Sequence, residues 1–124
     1  MKRTILLTAF LVVAVSAAQA GLKVIGTGER GMKLDPSGFP PDMKKRYEIM
    51  AVKCANSSAN CHGLGRAVES IVTGVGVTSK APFDKQAAKQ YGIKMMRKPE
   101  SNIDKAEAKD IVQLLYYLID EARK

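Results

Sequence analysis

Residues 103–119 read Ile-Asp-Lys-Ala-Glu-Ala-Lys-Asp-Ile-Val-Gln-Leu-Leu-Tyr-Tyr-Leu-Ile, the strongest secondary-structure signal in the chain. Asp104 is a favoured helix N-cap, and Glu107 three residues later completes a capping box. Apolar residues then recur at helical spacing and form one stripe: Ile111, Leu114, Leu115, Leu118 and Ile119. The stretch therefore predicts a long amphipathic helix that closes a helical domain.

Three shorter helices are predicted before it. The first begins at Pro41, because proline is tolerated in the first helical turn, and runs through Tyr47 and Met50 to Cys54. Residues 55–60 are loop formers, and a short helix follows around Val68. A further short helix is expected over residues 84–91. The predicted fold class is all-α.

The segment before these helices carries an export signal and an irregular arm. Residues 1–20 begin with positive charge, continue as an apolar run and end in Ala18-Gln19-Ala20, which together predict a cleaved signal peptide. The apolar run is too short for a membrane span, so no membrane anchor is expected. Residues 21–40 are rich in Gly and Pro, which favours turns over regular elements. The expected location is the periplasm.

The overall charge is basic and the aromatic content is low. The formal net charge is +8 at pH 7, with Lys and Arg scattered along the chain, and there is no Trp. Export makes nucleic acid an improbable partner for this basic surface. A small domain with so little aromatic side chain is often stabilised by a cofactor or a covalent cross-link.

Both cysteines and the one histidine of the chain lie in Cys54-Ala-Asn-Ser-Ser-Ala-Asn-Cys61-His62. The adjacent Cys61-His62 pair is that of the C-x-x-C-H signature for haem attachment. In that motif two thiols form thioethers with the haem vinyl groups, and the imidazole ligates the iron. The spacing here is C-x6-C-H, which is four residues longer. Residues 55–60 can bulge outward and bring the two sulfurs together.

A methionine is the second feature that a haem site of this kind uses. Methionine opposite histidine is typical of cytochromes c and raises the reduction potential. Met95 and Met96 stand just before the terminal helix, and Pro99 follows them. Because the chain has a single histidine, two histidine ligands on one iron are excluded.

Together these features over residues 41–122 resemble the class I cytochrome c family. In that family an N-terminal helix leads into the attachment motif, a methionine-bearing loop follows, and an amphipathic helix rich in Leu and Tyr closes the domain. The matching residues are Cys54, Cys61, His62, Met95 or Met96, and Tyr116-Tyr117-Leu118.

The resemblance implies a cytochrome c-like domain over residues 41–124, wrapped around one covalently bound haem c. Cys54 and Cys61 would form the thioethers, and His62 and Met95 would be the axial iron ligands. Met95 is preferred because similar family members place this ligand about four residues before the proline, and Met96 is the alternative. The expected pocket walls are the inner face of the terminal helix and Leu64, Ile71, Val72, Tyr91 and Ile93.

The expected function is electron transfer, without enzyme activity, because protein ligands would fill both axial positions of the iron. Redox partner proteins with acidic docking surfaces are expected to meet lysines near the haem edge, such as Lys80, Lys94 and Lys98.

Two other interpretations remain open. Cysteines of exported proteins commonly form disulfides, so a Cys54–Cys61 bridge in a small binding module is the main alternative. Cysteine, histidine and methionine also suit Cu(I), which makes a soft-metal carrier the third possibility.

Overall fold

The computed structural model describes residues 21–28, 31–54 and 63–124. Their regular elements are a β-hairpin, four α-helices and two 3-10 helices. The strands are β1 (Val24–Gly28) and β2 (Gly31–Leu34), and the helices are α1 (Pro41–Cys54), α2 (Gly63–Thr73), α3 (Lys85–Arg97) and α4 (Lys105–Ala122). The 3-10 helices span Pro36–Gly38 and Pro99–Ser101. The predicted signal peptide, Cys61 and His62 lie outside the described residues.

Helix α4 is the centre of the fold, and it begins as its sequence predicts. The Asp104 carboxylate accepts a hydrogen bond from the Glu107 N–H at 2.8 Å, and the Glu107 carboxylate accepts one from the Asp104 N–H at 3.0 Å. Helices α1, α2 and α3 all pack against α4. The predicted stripe is buried in full: Ile111, Leu114, Leu115, Leu118 and Ile119. The mainly helical fold is therefore confirmed.

The arm over residues 21–40 differs from the prediction, because it holds a regular antiparallel hairpin. Val24 pairs with Leu34, Thr27 with Met32 and Gly28 with Gly31. A two-stranded hairpin is only marginally stable alone, but β2 packs along α2 and Leu34 is 1% exposed. The hairpin is therefore stabilised by tertiary contacts that its Gly-rich sequence does not reveal.

Aromatic rings attach the end of the arm to the helices. Phe39 packs edge-on against Tyr47 of α1, with ring centroids 5.7 Å apart, and against Tyr117 of α4 at 5.5 Å. Edge-to-face pairs of this kind are favourable beyond the area they bury. The arm is thus part of the packed domain, where it joins α1 and α4 at one edge. Among the described residues, no helix has the length and apolar character needed to cross a bilayer.

Candidate functional site at the junction of α1, α3 and α4

Cys54 is the last residue of α1, and its side chain is turned into the core with 7% exposure. Met50 lies one turn earlier on the same helix and is 1% exposed. Residues four apart on a helix share a face, so both sulfur-bearing side chains face α4 and α3. The segment that carries Cys61 and His62 continues directly from this buried helix end.

Met95 reaches the same place from α3. A small, largely apolar cavity of about 10 Å³ lies where α1, α3 and α4 meet. The residues around it are Met50, Cys54, Tyr91, Gly92, Met95, Ile103, Ala108 and Ile111. The structure thus brings together Cys54 and Met95, which were both predicted as site residues from separate parts of the chain.

The methionines lie on a helix and not in the loop that the family resemblance implies. Helix α3 begins at the Asp84 cap, whose carboxylate accepts from the Ala87 N–H at 2.9 Å, and continues beyond the predicted end at residue 91 to Arg97. Basic side chains in the last turn, Lys94 and Arg97, favour this longer helix through its dipole. Pro99 then prevents further extension.

Gly92 lies inside α3, where glycine normally weakens a helix, but here it is needed for packing against α4. A Cβ atom placed on Gly92 would lie 2.4 Å from Cγ2 of Val112 on α4, far inside van der Waals contact. The missing side chain lets the two helices approach closely at this point. This contact holds α3, and with it Met95, against the terminal helix.

Met96 faces a different environment from its neighbour. It lines an open, polar pocket of about 280 Å³ beside the start of α4. The pocket is lined by Lys53, Met96, Lys98, Pro99, Ser101, Asn102, Ile103, Asp104 and Glu107. Ile103 lines both spaces, so it lies between the polar pocket and the apolar cavity. Of the two candidate ligands, Met95 is the one that shares a cavity with Cys54.

Lys53 bridges α1 to the segment that follows the methionines. Its ammonium nitrogen donates to the Asn102 carbonyl at 2.7 Å and lies 3.1 Å from a Glu107 carboxylate oxygen. Asn102 itself adopts the left-handed backbone conformation, with φ of 50°. Nearby, the Ser101 hydroxyl is buried and has no hydrogen-bond partner within the described part of the chain. The bridge connects the residue beside Cys54 to the start of α4.

The walls of the cavity differ in part from those expected. Tyr91 lines it as predicted, and α4 contributes Ala108 and Ile111. Ile71 is buried elsewhere in the core and Val72 is 38% exposed. Among the residues that the structure describes around the cavity, four of the expected wall residues are missing: Leu64, Ile71, Val72 and Ile93. Met50 also borders the cavity, which the sequence analysis does not predict; its spacing of four from Cys54 is the available signal.

The sulfur donors suit the expected haem, but this packing leaves little room for a porphyrin. A buried thiol and a thioether border one apolar space, as covalent attachment and axial ligation require. The space measures about 10 Å³, whereas pockets for organic ligands typically hold about 300 Å³ or more. A porphyrin between Cys54 and Met95 therefore requires α3 to pack differently against α1 and α4.

The lysines expected at a docking surface are accessible. Lys80 and Lys94 are exposed, and Lys98 lines the polar pocket together with Lys53. Within the described ranges, no group of three or more His, Cys, Asp or Glu side chains is arranged to hold a metal ion. Comparison with protein-family models, with curated proteins and with solved structures finds no match for the chain.

Proposed function

We propose that the protein is an exported, single-haem c-type cytochrome that transfers electrons in the periplasm and has no enzyme activity. Cys54 and Cys61 hold the haem through thioethers, and His62 and Met95 ligate the iron. The bound haem supplies a one-electron couple at the iron. The chain's own residues position it, exclude water and set its potential.

One observation carries this proposal: Cys54 and Met95 border the same apolar cavity although they come from α1 and α3. A c-type site needs its attachment cysteine and its methionine to border the same largely apolar pocket. The apolar side chains of Ile103, Ala108 and Ile111 around this cavity support the proposal. Methionine sulfur at the iron favours the ferrous state and a raised potential.

Electron exchange requires partner proteins, and the basic residues on α3 indicate the charge that such partners would carry. Helix α3 carries Lys85, Lys89, Lys94 and Arg97 and no acidic residue. Together with Lys80 and Lys98 these side chains favour redox partners with acidic docking surfaces. Rates of electron exchange with such partners are expected to fall as ionic strength rises, because salt screens the attraction. Rates that do not change with salt would contradict this part of the proposal.

Expression of the full precursor in a bacterial host with a c-type haem maturation system tests the proposal. Haem staining after denaturing electrophoresis reports covalent attachment, and the reduced pyridine haemochrome spectrum distinguishes one thioether from two. We expect covalent haem with two thioethers in the native chain, and one thioether in the Cys54→Ala variant. Haem that is lost on denaturation, together with thiols that react only after reduction, would instead indicate a Cys54–Cys61 disulfide.

The pair Met95→Leu and Met96→Leu tests the axial ligand with a matched control. Both substitutions keep the apolar character and nearly the volume of the side chain. We expect Met95→Leu to remove the red absorption band of methionine-ligated ferric haem and to lower the reduction potential. Met96→Leu should leave both unchanged. The reverse result would transfer the ligand role to Met96 and leave the haem assignment intact.

A further inference from the structure

Three sulfur-bearing residues border one small cavity, and together they offer ligands for a soft metal ion in the haem-free chain. Met50 and Cys54 reach the cavity from one face of α1, and Met95 reaches it from α3. Methionine thioether and cysteine thiolate are the soft ligands that select Cu(I) in proteins. Among the described residues, the remaining wall includes no carboxylate, the ligand that hard cations such as Mg²⁺ or Ca²⁺ prefer.

The size of the space indicates a single ion. A volume of about 10 Å³ corresponds to roughly one water molecule. A bare monovalent ion that takes two or three sulfur ligands needs no more room than this.

The backbone also favours a cation at this position. Cys54 is the final residue of α1, and Met95 lies in the last turn of α3. The C-terminal end of a helix carries partial negative charge, and this stabilises cations within about one turn. The C-terminal ends of α1 and α3 therefore both lie at this cavity, and the partial negative charge of each favours a cation there.

We propose that the haem-free, thiol-reduced chain binds one soft monovalent cation, Cu(I) or Ag(I), between Met50, Cys54 and Met95. Binding forms a bond between the metal and Cys54 sulfur, and the thiol proton passes to solvent, with no change of oxidation state. The two thioethers complete the coordination without losing a proton. This activity goes beyond electron transfer and does not depend on haem, although it uses the sulfur that haem attachment consumes.

Ag(I) is the probe of choice because it remains monovalent in air. The full chain is produced in a host without haem maturation, reduced, and titrated with Ag(I) in competition with a chromophoric chelator. We expect one equivalent to bind, and the bound ion to protect Cys54 from alkylation as mapped by mass spectrometry. Cys54→Ala and Met95→Leu should each weaken binding by about a hundredfold or more, because each removes a ligand, whereas loss of an outer-shell partner alone costs about 10–100-fold.

Two controls make the result decisive. Met96→Leu changes the neighbouring methionine, which lines the polar pocket, and should leave the affinity within about twofold. The double variant Cys61→Ser with His62→Gln removes the second cysteine and the histidine, and it should also leave the affinity within that range. Loss of binding in that double variant, or full binding in Met95→Leu, would overturn the proposal. Circular dichroism of each variant establishes that its helices are formed.

Discussion

The phenolic oxygen of Tyr47 forms hydrogen bonds with both backbone groups of Leu34. It accepts from the Leu34 N–H at 3.3 Å and donates to the Leu34 carbonyl at 3.2 Å. Tyr47 belongs to α1, whose last residue is Cys54, and Leu34 ends the hairpin. A single side chain thus joins the N-terminal arm to the helix that leads into the candidate site.

The first prediction concerns Tyr47→Phe, which keeps the ring and removes the hydroxyl. Leu34 is 1% exposed, so its backbone groups lose a buried partner that water cannot easily replace. We expect the free energy of unfolding to fall by about 1–3 kcal/mol, measured by urea denaturation. Tyr116→Phe is the matched control, because its hydroxyl forms no hydrogen bond with the residues that the structure describes, and it should change stability little. Equal effects of the two substitutions would contradict the assigned role of Tyr47.

The second prediction concerns alkaline pH. Burial raises the pKa of Tyr47 above its usual value, and the bonds to Leu34 only partly offset this. Because the folded protein favours the neutral phenol, the stabilisation is complete below the unfolded pKa of about 10. It is lost as the pH rises through the higher folded value.

Urea unfolding measured at increasing alkaline pH, on the native chain and on Tyr47→Phe, checks this. Lysines and other tyrosines titrate in both proteins, so the difference between the two curves isolates Tyr47. The stability advantage of the native chain should shrink as the pH rises. A constant difference would show that Tyr47 ionises equally well in the folded and unfolded protein.

The third prediction concerns the close approach of α3 to α4. In Gly92→Ala the new methyl group meets Cγ2 of Val112 at 2.4 Å, so either the Val112 side chain leaves its rotamer or the helices separate. We expect a loss of about 1–3 kcal/mol from overpacking, although alanine alone would favour a helix by about 1 kcal/mol over glycine. The measurement is thermal or urea unfolding of the single variant.

Val112→Ala provides the internal check on that interpretation. If the clash with Val112 is the cause, adding Val112→Ala to Gly92→Ala should recover most of the loss, and a double-mutant cycle would show strong coupling. Additive effects would mean that Gly92 acts through something other than this contact. Because Met95 lies one turn beyond Gly92, the single variant is also expected to weaken Ag(I) binding.

The fourth prediction concerns the bridge from Lys53 to Asn102 and Glu107. Lys53→Met keeps much of the aliphatic stem and removes both polar contacts. We expect a cost of about 1 kcal/mol at low salt, declining as added salt screens the ion pair. The comparison variant is Lys85→Met, whose partner Asp120 is 56% exposed, against 27% for Glu107. Lys85→Met should lower the free energy of unfolding by less than Lys53→Met does. A larger loss for Lys85→Met would contradict the stabilising role of the Lys53 bridge.

Where the sequence predicted the helices well, the signals were local. Helix α1 begins at Pro41 and ends at Cys54, and α4 begins after the Asp104–Glu107 capping box, as expected from the residues themselves. Caps and a 3.6-residue apolar period act within a few turns of the chain, so no knowledge of distant residues is needed.

The hairpin and the full length of α3 could not be predicted in this way. Gly-rich strands and a glycine within a helix both argue locally against regular structure. They form here because Leu34 is buried against α2 and Tyr47, and because Gly92 meets Val112. Those contacts join residues far apart in the sequence, and their contribution outweighs the local preference.

For the candidate site, too, some features follow from the sequence and others only from tertiary packing. The sequence by itself determined the available chemistry: two cysteines, one histidine and a methionine pair, in an order that resembles a c-type cytochrome. Only the tertiary structure decided that Met50, Cys54 and Met95 border one cavity and that Met96 lies outside it. The physical reason is that the buried face of α4 and the missing side chain at Gly92 set how the helices rotate and cross. That packing determines which methionines border the cavity beside Cys54.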